Sequence, residues 1–249
     1  MKKIAFITGA TSGIGYSVSK ILAKDYALIL CGRRESRLKK IKDELSKITQ
    51  VYTLCYDIRD NESLNKSFDS LPTEWKEVYI LINNAGNAHG MDLIHEGRIN
   101  DWDAMIDINV KGLLYVSKLI IPIMIKFNRG IIINLGSIAG KEVYPKGNVY
   151  CASKYAVDAI TKGMQVDLNN YNIKVCSVNP GLVETEFALV RFKGDKEKAN
   201  LVYDKIKPLT PDDVAEVIYF IINRPDNVNI SDITIFPKNQ ASSTVINRE

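Results

Sequence analysis

Tyr150 and Lys154 stand four residues apart in Tyr150-Cys151-Ala152-Ser153-Lys154, and Ser137 lies thirteen residues upstream. On a helix, that spacing sets two side chains on one face, one turn from each other. A free tyrosine titrates near pH ~10, and an ammonium held beside it favours the phenolate, so the pair can exchange a proton with an alcohol near neutral pH. Ser137 could hydrogen-bond the same substrate oxygen. A Tyr-x-x-x-Lys pair is also what a surface helix carries by chance, so its meaning depends on the rest of the chain.

Positioning such a centre requires a scaffold, and the chain alternates strand and helix patterns. Strands are predicted at Lys3 to Thr8, Ala27 to Cys31, Val51 to Tyr56, Val78 to Asn83, Gly130 to Leu135, Ile173 to Val178 and Ile233 to Phe236. Several are almost uniformly apolar, as strands covered on both faces must be. Helical patterns include Ser36 to Leu45, Trp102 to Ile121, Tyr150 to Leu168 and Asp212 to Ile222, the last opened by Thr210 as N-cap and Pro211 at the first position. The expected fold is a single α/β domain spanning 1–249, a doubly wound parallel sheet of about seven strands with helices on both faces and ligands at the carboxyl ends of the strands. Asn83, Ser137 and Asn179-Pro180-Gly181 all fall at such ends.

Between the first strand and the first helix runs Thr8-Gly9-Ala10-Thr11-Ser12-Gly13-Ile14-Gly15. Gly9 allows a tight turn, Gly13 lets backbone approach a pyrophosphate, Gly15 permits close packing of helix on strand, and amides at the helix start face the phosphate charge. The Gly-x-x-x-Gly-x-Gly spacing departs from the common dinucleotide fingerprint.

Length and composition agree with one α/β domain. The 249 residues are 46% apolar and 25% charged, enough for one core that buries about 70–75% of the surface of the unfolded chain. A net charge of +4, with lysines scattered through helices, does not imply nucleic acid. The apolar run after Met1-Lys2-Lys3 stops at Thr8, too short for a signal peptide, and Leu119 to Ile125 and Val217 to Ile222 fall short of the ~20 residues of a membrane helix. The chain therefore reads as unsecreted, cytoplasmic and not membrane-bound. Cys31, Cys55, Cys151 and Cys176 read as reduced packing residues, and the two histidines, His89 and His95, have no metal-ligand spacing.

Together these residues resemble the short-chain dehydrogenase/reductase family over nearly the whole chain. Thr8 to Gly15 resembles its cofactor turn, Asn83-Asn84-Ala85-Gly86 its fourth-strand motif, and Asn109, Ser137, Tyr150 and Lys154 its catalytic tetrad. Pro180-Gly181, followed by Val183 and Thr185, resembles the segment at the nicotinamide end, and Asp57-Ile58 the adenine-contacting pair. The resemblance thus implies cofactor contacts at Gly9, Thr11, Ser12, Gly13, Ile14, Gly15, Arg33, Arg34, Asp57, Ile58, Asn84, Tyr150, Lys154, Pro180, Gly181, Val183 and Thr185. It also implies that Lys154 holds the nicotinamide ribose and lowers the Tyr150 pKa, that Ser137 fixes the substrate oxygen, and that Asn109 bends its helix and seats a proton-relaying water. A homotetramer is implied as well.

Where an NAD-selecting chain of this type would place an acid after the second strand, this one has Gly32-Arg33-Arg34. Two guanidinium groups suit a 2′-phosphate, so NADP is the expected cofactor. Leu71-Pro72-Thr73-Glu74-Trp75, Gly147-Asn148-Val149-Tyr150, the run from Pro180 to Phe187, Val190-Arg191-Phe192-Lys193-Gly194 and the tail from Phe236 to Ser242 resemble the branch of NADP-dependent 3-hydroxy acid dehydrogenases. That branch implies a small hydroxy acid or carbonyl substrate such as serine, allo-threonine or 3-hydroxypropionate, bound at Ser137 and Tyr150, with Arg191 as candidate carboxylate partner. Two other enzymic readings were weighed. A serine hydrolase fails on order, because Gly136-Ser137-Ile138-Ala139-Gly140 is not Gly-x-Ser-x-Gly and no histidine follows it. A reductase of bulkier ketones or diketones stays open, as does a non-catalytic NADP-binding sensor, which the intact tetrad disfavours.

Overall fold

The computed structural model describes residues 2–248 and contains one seven-stranded, all-parallel sheet in the order β3-β2-β1-β4-β5-β6-β7. The strands are β1 (Ile4–Ile7), β2 (Ala27–Gly32), β3 (Val51–Cys55), β4 (Val78–Asn83), β5 (Gly130–Leu135), β6 (Ile173–Pro180) and β7 (Asp232–Ile235). Each predicted strand is present with ends moved by two residues at most. The helices are α1 (Gly13–Leu22), α2 (Glu35–Leu45), α3 (Asn61–Asp69), α4 (Ile99–Ile106), α5 (Leu113–Lys126), α6 (Asn148–Asp167), α7 (Phe187–Arg191), α8 (Lys196–Val202) and α9 (Pro211–Ile222).

Alternation along each strand divides the core in two. Ile4 and Phe6 of β1 join Ile29, Leu81, Ile132 and Val175 against α3, α5 and α6. Ala5 and Ile7 join Leu28, Leu30, Ile80, Ile82 and Ile131 against α1, α2 and α9 on the other face. A strand must present apolar side chains in both directions when helices cover both faces, hence the uninterrupted Ile4-Ala5-Phe6-Ile7. The order reverses between β1 and β4, and the crevice at this switch point is where a doubly wound sheet accepts a ligand.

Two local features follow the sequence closely. Thr210 caps α9 by accepting from the Asp213 backbone, and Asp213 accepts from the Thr210 N–H, a complete capping box ahead of Pro211. Asn109 lies in a π-helical stretch, Asp107–Gly112, joining α4 to α5, so the helix is distorted where the resemblance implied a bend.

The helical run is longer than its predicted span, reaching from Ile99 to Lys126 without a break. Its length and composition taken alone would also suit a membrane span. Leu113, Val116, Ile120 and Met124 fill one stripe and pack into the core against β4. Three cysteines are buried, but Cys55 is exposed at the end of β3 and is not a packing residue.

Candidate active site

Side chains at the end of β4 lock the glycine turn. Thr8 Oγ1 accepts from the backbone N–H groups of Asn84 and Ala85 at 3.0 and 2.9 Å, and Asn84 Nδ2 donates to the carbonyls of Thr8 and Gly9 at 2.9 and 3.2 Å. Gly13 has φ +52° and faces Thr185, whose Cγ2 would lie 3.1 Å from an added Cβ. At Gly15 a Cβ would sit 2.4 Å from the Gly9 carbonyl oxygen, so helix and turn touch backbone to backbone. Ser12 is the N-cap of α1 but makes no side-chain cap, and its hydroxyl accepts from Arg34 Nη2 at 2.7 Å. The start of α1 therefore meets the cleft with unpaired N–H groups, the arrangement that favours an anion.

Beyond the turn, Arg34 also donates to Thr11 Oγ1 from Nε and Nη2 at 3.0 and 2.7 Å and, through Nη1, to Glu186 at 2.7 Å. Arg33 Nη1 reaches Asp57 Oδ2 at 3.3 Å, and Arg59 donates to both oxygens of that carboxylate, from Nε to Oδ1 at 3.0 Å and from Nη2 to Oδ2 at 2.7 Å. Burial pushes the Asp57 carboxyl up, but hydrogen bonds from Arg59 and the Arg33 charge outweigh it and hold the pKa down at about 2.

Tyr150 and Lys154 project from α6 and are both buried. Lys154 Nζ donates to the Leu135 carbonyl at 2.8 Å, and burial lowers its pKa to about 8. Burial drives the Tyr150 pKa upward, with a hydrogen bond to Ser137 and the Arg191 charge pulling the other way. Lys154 is not among the main influences on Tyr150 in this arrangement, where both groups are desolvated. Ser137 Oγ also accepts from the Ala139 N–H at 3.1 Å, which fixes the turn after β5. Asn109 is tied at both ends of its amide. Its Oδ1 accepts from the Asn87 N–H at 2.9 Å, while Nδ2 donates to the Asn87 carbonyl and to Ser153 Oγ at 2.8 and 2.9 Å.

On the substrate side, Arg191 is buried, with only 9% of its surface exposed. Its Nε donates to the Gly90 carbonyl at 3.1 Å and Nη1 to the Tyr144 hydroxyl at 2.9 Å, with the guanidinium carbon 5.7 Å from the Tyr150 ring centroid. Nη2 has no hydrogen-bond partner among the described residues. Phe187 packs on Tyr150 with ring centroids 5.5 Å apart.

One cleft of about 570 Å³ joins these groups. Its walls include Gly9, Thr11, Ser12, Gly13, Ile14, Arg33, Arg34, Ile58, Asn84, Ser137, Tyr150, Lys154, Pro180, Gly181, Val183, Thr185 and Arg191. Three expected residues are not on its wall. Gly15 packs beneath Gly9, Asp57 is turned to its two arginines, and Asn109 lies behind Gly86, whose Cβ position would be 3.1 Å from Asn109 Oδ1. Sequence reasoning missed Tyr144, which carries no motif of its own, and the tail residues Ser243, Ile246 and Arg248, which also line the cleft, and it gave Phe187, the end of the run from Pro180, no role. Gln240 lay within the quoted tail, but its task is visible only in space, where its Oε1 accepts from the Leu182 N–H at 2.8 Å beside Gly181.

The cleft thus combines an anion-receptive glycine turn, an arginine pair and a buried Tyr150–Lys154 pair beside Ser137. Comparison with known proteins leads to the same place. The chain is 42% identical over 251 residues to an NADP-dependent 3-hydroxy acid dehydrogenase of Schizosaccharomyces pombe, covering 99% of this chain and 97% of that one. It is 40% identical over 245 residues to sulfoacetaldehyde reductase 2 of Chromohalobacter salexigens, covering 98% and 97%. Among solved structures, the closed form of serine dehydrogenase complexed with NADP+ superposes with a TM-score of 0.93 at 38% identity, covering 99% of this chain and 100% of that one. Residues 3–195 match the short chain dehydrogenase family, and the chain belongs to that family.

Proposed function

We propose that the protein is an NADP-dependent oxidoreductase that interconverts a 3-hydroxy acid, such as serine, allo-threonine or 3-hydroxypropionate, with its 3-oxo acid or semialdehyde. The observation that carries the substrate class is the buried Arg191 guanidinium beside the Tyr150 ring, with one nitrogen free of partners. A buried cation with donors to spare calls for an anion, and a carboxylate two bonds from the reacting carbon places that anion beside the catalytic hydroxyl.

The cleft fits the cofactor. The glycine turn leaves backbone open to a pyrophosphate, and Arg33, Arg34 and the Ser12 hydroxyl can receive a 2′-phosphate. Asn84, Pro180, Gly181, Val183 and Thr185 line its far end, and Lys154 would hold the nicotinamide ribose. When bound, the cofactor accepts or delivers hydride at the substrate carbon.

The chain's own residues handle the proton. Raised by burial, Tyr150 is a neutral phenol at neutral pH, and in the reductive direction it donates its proton to the carbonyl oxygen; in reverse, the phenolate that this leaves takes the proton back from the alcohol. Ser137 donates to that substrate oxygen and orients it. Lys154, with its pKa lowered to about 8, can pass a proton near neutral pH, and Asn109 holds the Asn87 backbone behind it. Tyr144 fixes the Arg191 fork against the substrate side.

The test is a panel of 3-hydroxy acids, their semialdehydes, sulfoacetaldehyde and uncharged secondary alcohols, each assayed with NADP+ or NADPH and with NAD+ or NADH. Anionic substrates should be preferred to uncharged alcohols by ~10-fold or more in kcat/KM, the scale of one charge-assisted contact. Equal turnover of uncharged ketones or diketones would replace this reading by a broad-specificity reductase.

A further inference from the structure

Glu186 stands where the two sides of the cleft meet. Its carboxylate accepts from Arg34 Nη1 at 2.7 Å and from Arg37 Nη1 at 2.7 and 2.9 Å. Arg34 holds the glycine turn through Thr11 and Ser12 with its other nitrogens, so one guanidinium joins turn and carboxylate. The Arg37 side chain has Glu186 as its only hydrogen-bond partner among the described residues. Glu186 is also the N-cap of α7, five residues that carry Phe187 onto the Tyr150 ring and end at Arg191.

So short a helix has little stability of its own. Only Ala188 and Arg191 of α7 are buried, and its packing neighbour α8 buries only Ala199. The segment is tethered at both ends instead. At the far end, Arg191 Nε donates to the Gly90 carbonyl and the Gly90 N–H donates back to the Arg191 carbonyl at 3.0 Å. At the near end stands the Glu186 pair.

We infer that Glu186 is a positioning residue whose carboxylate latches α7 to Arg34 and Arg37, so that the cofactor-selecting Arg34, with Arg37 beside it, sets the placement of Phe187 and Arg191 over the catalytic tyrosine. An isolated exposed ion pair contributes little, but one carboxylate shared by two guanidinium groups, one of them already fixed by two hydroxyls, loses less side-chain entropy on pairing. The latch is defined without either ligand. Its effect on substrate binding rests on the proposed function, so the two are measured separately.

Amide hydrogen exchange on the free protein reads the latch directly. In Glu186→Gln and in Arg37→Met, the Val190, Phe192 and Gly90 amides, which donate to Glu186, Ala188 and Arg191 carbonyls, should exchange about 5-fold or more faster, with the sheet amides unchanged. The double variant should exchange no faster than Glu186→Gln alone, because Arg37→Met removes a contact that the Gln variant has already lost. In steady state, KM for the preferred hydroxy acid should rise about 5-fold or more while the Kd for NADP+ stays within about 2-fold. Wild-type exchange in the single variants, or additive acceleration in the double, overturns the latch. So does tighter NADP+ binding with unchanged exchange, which makes Glu186 a carboxylate that merely competes with the 2′-phosphate. If wild type binds no NADP+, the proposed function fails while the exchange data still decide the latch.

Discussion

Around the glycine turn, placement is achieved by backbone and short buried side chains: Thr8, Asn84 and the Gly9 carbonyl hold one another, and Gly15 leaves no room for a Cβ. Across the cleft, α7 is held by long side chains, Arg191 at one end and Glu186 with Arg34 and Arg37 at the other. The first region tolerates almost no change of shape. The second can exchange side chains without disturbing the sheet, because it is held by long side chains and α7 buries only Ala188 and Arg191. A rigid cofactor side joined to an adjustable substrate side lets one fold serve many substrates.

The largest expected effect strikes the centre that both regions serve. Tyr150→Phe removes the proton-transfer hydroxyl but keeps the ring on which Phe187 packs, so kcat should fall ~10²-fold or more while NADPH binding, measured by fluorescence titration, is retained. Turnover within a few fold of wild type would remove Tyr150 from the reaction.

On the rigid side, the double variant Arg33→Ala with Arg34→Ala should cut the preference for NADPH over NADH by ~10²-fold, measured as the ratio of dissociation constants. An unchanged ratio would locate the 2′-phosphate contact elsewhere. On the adjustable side, Arg191→Ala should lower kcat/KM for a 3-hydroxy acid by ~10-fold and hardly alter it for an uncharged secondary alcohol. Equal losses for both would mean that Arg191 orders α7 and does not bind carboxylate.

The smallest effect is thermodynamic. Lys154 is lowered to about 8 by burial, from 10.5, so between these values the unfolded chain binds more protons than the folded one. Stability of the wild type should therefore rise with pH across that window relative to Lys154→Met, with a slope of at most about 1.4 kcal/mol per pH unit. Parallel denaturation profiles for the two proteins from pH 8 to 10.5 would show that the buried amine does not titrate there.

Much of this architecture was legible before any coordinates. Ile4-Ala5-Phe6-Ile7 reads as a strand covered on both faces, and the β4 and β5 boundaries fall where apolar runs end at Asn83 and Leu135. The α9 start is written in Thr210-Pro211. By contrast, the single helix predicted over Trp102 to Ile121 is a longer run interrupted by the π-helical stretch at Asn109, because the Asn87 backbone and Ser153 claim the Asn109 amide from outside the helix. Asp57 carried an adenine-contacting motif, yet its carboxylate faces Arg33 and Arg59, since two guanidinium groups within reach outweigh local sequence context.

The sequence by itself determined the parallel sheet, the glycine turn and the Tyr150–Lys154 spacing, because strand period, turn geometry and the pitch of a helix are local and act over a few residues. The tertiary structure alone decided that Tyr144 meets Arg191 across 47 residues of chain and that Arg34 meets Glu186 across 152. Those contacts have no period and no motif. They exist because the sheet brings the ends of β2, β5 and β6 to one crevice, where charge and burial select partners that the chain holds far apart.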